Sequence, residues 1–193
     1  MATAVLLGAG SGALHAVTGP DHVLSLGPVA LRRARGSWRV GLAWGAGHAL
    51  GTLVLAVPAL LVTGLVHLPS VAAWGDRLAG VALIGTAAWS WWSMRRAAAG
   101  AADGRSPVVV GFVHGATGAG SLLLLLPVLL SGSTGRSLAF LVAFAVGSTL
   151  AMAGLTAAIA RVGARLEGRV VARLQRVMVA ASMTLGAFWV VTA

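Results

Sequence analysis

Residues 15–31 read HAVTGPDHVLSLGPVAL, and residues 114–130 read HGATGAGSLLLLLPVLL. Set over one another, they align without a gap and share 8 of 17 positions. His15 pairs with His114, Thr18 with Thr117, Gly19 with Gly118 and Pro28 with Pro127. At an offset of 100 residues, Gly47–His48–Ala49–Leu50 pairs with Gly147–Ser148–Thr149–Leu150, and Trp89 with Trp189. Low-complexity sequence matches itself in composition, but not with His, Thr-Gly and Pro held in one register. The chain reads as two related halves.

Charge says what the halves are. The 193 residues carry four acidic and fourteen basic side chains, a net charge of +10, yet 58% are apolar and mean hydropathy is +0.92. Charged residues make up 9% of the chain, against about 25% in soluble domains. Cutting at the charges leaves the uncharged runs 40–75, 78–94, 106–135, 137–160 and 177–193, with 1–31 interrupted by Asp21 alone. A bilayer core takes roughly 20 apolar residues per helix. The spans expected are 3–31, 40–66, 72–94, 107–130, 137–160 and 177–193, with a turn at 67–70. Three spans per half is an odd number, so the second half must cross the membrane upside down relative to the first. The expectation is an all-α polytopic membrane protein whose six transmembrane helices form two inverted three-helix repeats, with helix 1 and helix 4 broken and lying side by side at the centre. The whole chain, 1–193, is one transmembrane domain: repeat one 1–96, a cytoplasmic linker 97–106, repeat two 107–193.

Twelve of the fourteen arginines fall after odd-numbered spans, leaving Arg77 and Arg136 for the other side. Positive charge is retained on the cytoplasmic face, so both termini are expected outside, in a bacterial plasma (inner) membrane. This placement explains the basic balance without nucleic acid as a partner. Trp38, Trp91 and Trp92 border the arginine loops, with Trp74 and Trp189 toward the opposite surface. Pairs of glycines four apart, Gly8/Gly12, Gly41/Gly45, Gly47/Gly51 and Gly111/Gly115, suit close helix approach. Residues 161–176 repeat arginine at four-residue spacing opposite Val162, Leu166, Val170 and Leu174, which suggests an amphipathic helix on the cytoplasmic surface.

Few residues are left for chemistry. The chain has no cysteine, lysine or tyrosine, which removes thiol chemistry, Schiff bases and the nucleotide-binding loop lysine. It does not read as an enzyme. Within the spans stand His15, Asp21, His22, His48 and His114, and ionisable groups at membrane depth are costly and mark sites or pathways. An unbroken helix would separate His15 and His22 by two turns, roughly 10.5 Å. Proline at position 20 removes a backbone donor and opposes the preceding turn, so a break at Gly19–Pro20 can bring both imidazoles and the Asp21 carboxylate together. Gly118 marks the corresponding weak point after His114. Imidazoles with one carboxylate and no sulfur suit Ni, Co, Zn or Cu(II) better than Mg or Ca. His67, beside Pro69, reads as an interfacial residue without a role.

The segments His15-Ala-Val-Thr-Gly-Pro-Asp21-His22, Trp44-Gly-Ala-Gly-His48 and Gly-Phe-Val-His114-Gly resemble the nickel/cobalt transporter superfamily, and most closely its urease-accessory (UreH-type) membrane proteins. The permease signature has four residues between its His and Asp-His, and this chain has five. The resemblance implies metal binding by His15, Asp21 and His22, with His48 and His114 completing or relaying the site. The function expected is a secondary transporter of a divalent transition metal, Ni²⁺ or Co²⁺ first and Zn²⁺ or Cu²⁺ after them, with no tightly bound cofactor. The partners are the metal ion and the lipid bilayer, with a homo-oligomer or a metalloenzyme-maturation partner left open. The alternatives are an accessory protein for metalloenzyme maturation that transports nothing, a sulfite-type anion exporter, and a membrane cytochrome.

Overall fold

The computed structural model describes residues 1–32, 36–61, 68–98, 106–117 and 133–192. Among these residues the protein is all-helical, in seven helices: α1 Ala2–Thr18, α2 Pro20–Ala30, α3 Ser37–Leu61, α4 Leu68–Ala98, α5 Pro107–Thr117, α6 Thr134–Gly163 and α7 Gly168–Thr192. By length and composition α6 and α7 can each cross a membrane, and α1 with α2 can do so together as one bent span. Large apolar side chains stay exposed on the outer faces, among them Leu6, Leu7, Leu150 and Val191. In water such a surface drives aggregation; against lipid it is the ordinary exterior.

Close backbone contacts order the bundle. Gly8 and Gly12 of α1 lie against the Phe140 and Phe144 carbonyls of α6, and Gly147 of α6 lies against Ala9. Gly47 and Gly51 of α3 meet Val108 and Phe112 of α5, while Gly111 and Gly115 of α5 meet Trp44 and His48. A methyl group at any of these positions would collide with backbone, so glycine is required by proximity. Both pairs run parallel. Gly41 and Gly45 then set α3 antiparallel to α6, against Met152 and Thr149. The resulting row is α1, α6, α3, α5, with α4 and α7 packed together beside it. All four glycine pairs named from sequence sit in these interfaces.

Contacts recur at the offsets of the sequence repeat. Gly12 faces Phe144 and Ser148 as Gly111 faces Trp44 and His48. Thr18 Oγ1 donates to the Leu14 carbonyl at 2.8 Å, and Thr117 Oγ1 donates to that of Val113 at 2.9 Å.

Three expectations change. The first and fourth spans were expected side by side at the centre; among the described residues α6 and α3 pack between α1 and α5, because the closest glycine contacts of each half-helix are with the other repeat's second span. Residues 161–176 form no separate surface helix: α6 runs to Gly163, a turn follows, and α7 starts at Gly168 and continues into the span. Its early turns are held down where Gln175 Nε2 donates to the Pro28 carbonyl at 2.7 Å and Met178 fills the notch at Gly27. Leu68, Pro69 and Ser70 are the first turn of α4 rather than a loop, since proline is tolerated at a helix start. His67, Gly118 and the second half of the fourth span lie outside the described residues.

The arginine-rich ends converge. Gly163, ending α6, lies against Leu31, ending α2. α4 and α7 run antiparallel, with Gly80 against Gly186 and Ser182 Oγ donating to the Leu83 carbonyl at 3.5 Å. That sets Arg95 level with the start of α7. At this end Arg39 lies over the Trp38 ring at 5.4 Å and Arg95 over Trp91 at 5.0 Å. Met1 lies at the opposite end, beside Gly135.

Candidate metal centre

Gly19 is the hinge of the site. It caps the end of α1 and the start of α2 with φ −67° and ψ 111°, the extended conformation that a following proline imposes. Pro20 is the first residue of α2, and the two helices meet at 66°. The Gly19 N–H donates to the His15 carbonyl at 3.0 Å, and its own carbonyl accepts from the His22 N–H at 3.2 Å. Across this bend the His15 and His22 rings are 4.7 Å apart, centre to centre. A Cβ at Gly19 would meet His22 Nδ1 and Asp21 Oδ1. The hinge must therefore be bare for reasons of space, although its backbone angles suit any residue.

The packing of α3 and α5 supplies the remaining ligand candidates. His48, from the middle of α3, lies 5.6 Å from His15 and 5.1 Å from His22 between ring centres. His114, in the last turn of α5, lies 5.3 Å from His22 and 5.7 Å from His48. Its Nε2 donates to Asp21 Oδ2 at 2.7 Å, and His22 Nε2 is 3.9 Å from the same oxygen. All five residues singled out from sequence come together. His22, His48 and His114 are 0%, 1% and 2% exposed.

Six imidazole nitrogens in this cluster are buried without a hydrogen-bond partner: His15 Nε2, both nitrogens of His22, both of His48, and His114 Nδ1. Buried polar atoms are nearly always paired. So many orphaned nitrogens converging on one place fit the donor set of a metal site. The donors form two triplets, His15/His22/His48 and Asp21/His22/His114, each with its atoms within 4.8 Å of one another. A metal takes nitrogen and oxygen ligands at about 2.0–2.2 Å, so either triplet would have to draw together to share one ion.

Two residues of this site were given no role from sequence. Trp44 lies face to face with His48, rings 5.4 Å apart and 6° from parallel, and touches His22 and His114 as well. Phe144, at the equivalent repeat position, lies 5.6 Å from His15. The signal was available: Trp44 precedes His48 by four residues, which places both on one helical face. An apolar cleft of about 390 Å³ between α4 and α5, lined by Thr86, Trp89, Val109 and Val113 among others, holds no titratable side chain.

No family model matches the chain, and no solved structure does. Among curated proteins it is similar to two from Arabidopsis thaliana. Chloroplast protein FOR GROWTH AND FERTILITY 2 is 29% identical over 180 residues, covering 83% of this chain and 48% of that protein. Chloroplast protein FOR GROWTH AND FERTILITY 1 is 29% identical over 184 residues, covering 83% of this chain and 50% of that protein. The chain spans about half the length of the curated relatives it matches. This overturns the resemblance to the nickel/cobalt transporter superfamily and its urease-accessory branch. That resemblance rested on a few short segments, whereas similarity over 83% of the chain leads to the chloroplast proteins.

Proposed function

We propose that this protein is a membrane transporter that binds a divalent transition-metal ion at the His15, Asp21, His22, His48 and His114 cluster and passes it across the bilayer by alternating access. The observation that carries the reading is the set of six buried, unpartnered imidazole nitrogens around one carboxylate. Neutral imidazole is a strong ligand for Ni²⁺, Co²⁺, Zn²⁺ and Cu²⁺, and nothing in the donor set selects among them. The six-span inverted-repeat architecture belongs to the same proposal. The matched contacts of Gly12 and Gly111, and the opposed directions of the α1/α6 and α3/α5 pairs, support it. In such folds the substrate lies at broken helices near the midplane, where the repeats meet.

Two of the alternatives have less support. Arg39 and Arg95 stack on tryptophans at the arginine-rich end of the bundle rather than at the cluster, so neither offers an oxoanion a cation there. The His22 ring packs edge-on to His15 and His48, and Trp44 stacks on His48, so a porphyrin would have to part rings that now touch.

The test is equilibrium metal analysis of purified protein, paired with uptake of radiolabelled metal into proteoliposomes. One bound ion per chain and metal-dependent uptake are expected; absence of both would end the proposal. The orientation, with both termini outside and the arginines on the cytoplasmic face of a bacterial plasma membrane, is tested by fusions after Ala193. Phosphatase there should be active and green fluorescent protein dark.

A further inference from the structure

We propose that the cluster is not one five-ligand site but two overlapping three-ligand sites that share His22, with an ion handed from one to the other. The inference rests on the metal reading above and deepens it. The two triplets have His22 in common and differ in everything else. His15, His22 and His48 offer imidazoles alone, and each has an unpartnered nitrogen. Asp21, His22 and His114 include the carboxylate, but that pair is closed on itself by the 2.7 Å His114–Asp21 hydrogen bond. The first triplet has no hydrogen bond of its own to open before it draws in around an ion. The second accepts one only after its own hydrogen bond opens.

Charge gives the exchange a purpose. In the first triplet a dication keeps its full charge, which a low-dielectric interior tolerates poorly. In the second, one carboxylate offsets half of it. An ion held by His22 can exchange His15 and His48 for Asp21 and His114 without ever losing all its protein ligands. Trp44 touches His48, His22 and His114 and walls both sites with one apolar face.

Cobalt is the probe, because its visible absorption reports ligand number and type. The samples are purified full-length protein in detergent, with helicity and monodispersity checked for each variant. The double variant Asp21→Asn/His114→Ala should still bind one Co²⁺ per chain, and so should His15→Ala/His48→Ala. Each should lose about 10-fold in affinity, the lower end of what altered ligand surroundings cost, and the two should have different absorption spectra. His22→Gln, which keeps a polar side chain in the packing, should lose about 100-fold or more. If either double variant loses binding as fully as His22→Gln does, there is one site and the proposal is wrong. Two ions bound to the unaltered protein would also overturn it, since His22 would then not be shared. No Co²⁺ on the unaltered protein defeats the metal reading itself. Binding as described without uptake into proteoliposomes defeats transport and leaves the paired sites standing.

Discussion

Near the end of α1, His15 is followed by Gly19, Pro20, Asp21 and His22; near the end of α5, His114 is followed by Gly118, Ala119, Gly120 and Ser121. At the repeat position in α3 the buried polar residue is His48, and in α6 it is Ser148. The backbones of the two halves make the same close contacts, glycine on carbonyl, at Gly12 and at Gly111. The chemistry is lopsided: four of the five candidate ligands come from the first half, and His114 alone from the second. Packing tolerates duplication because a glycine face needs only another backbone. One carboxylate offsets half the charge of a dication, and a second, unpaired in an apolar interior, would be costly.

The largest effect should come from breaking the lopsided side. Asp21→Asn keeps size and much of the hydrogen bonding, so folded yield should hold while metal uptake per folded molecule falls by about 100-fold. Yield and uptake falling together would make Asp21 a structural residue. Next comes the symmetric side. Gly12→Leu and Gly111→Leu should each destabilise by about 1–3 kcal/mol, the usual range for overpacking, and by similar amounts in thermal unfolding in detergent. A large difference between them would mean that the two interfaces are not equivalent. Gly19→Ala sharpens the contrast between space and conformation. Its backbone suits alanine, but the new methyl must displace buried His22 and Asp21, so stability should fall by about 1–3 kcal/mol and metal affinity by about 10-fold. The smallest effects are expected from Gly10→Ala, whose new methyl meets nothing within 4 Å, and from His67→Ala, each within about 0.5 kcal/mol of the unaltered protein.

The candidate site was legible because it is local and polar. His15 on one side and Asp21 with His22 on the other flank a Gly-Pro break, and five ionisable groups stand out against apolar sequence. The convergence of His48 and His114 on that break was less legible, because it depends on which helices are neighbours. Lateral order was misread for a physical reason: Leu6, Leu150 and Val191 face outward as readily as any other apolar residue faces inward, so hydropathy does not tell a lipid-facing side from a buried one. The glycine pairs did mark the interfaces, but not which pair meets which. The start of α7 was misplaced because its arginines mimic a surface helix, while Gln175 and Met178, facing α2, carry it into the bundle. The family was misread because a short ligand motif records the needs of a site and not descent.

The bend at Gly19 has an electrostatic consequence of its own. The last turn of α1 has carbonyls with no helical donor ahead of them, and the Ala16 carbonyl loses its partner outright because Pro20 has no N–H. A helix end of this kind carries roughly half an elementary negative charge, and it lies in the turn that holds His15. The opposite pole, at the start of α2, is faced by Asp21 in its first turn. Histidines gain protons and carboxylates can be neutralised, but peptide carbonyls do neither across the physiological range. The break therefore gives the cluster a fixed negative pole, one that stays attractive to a cation in acid that would strip it from the imidazoles.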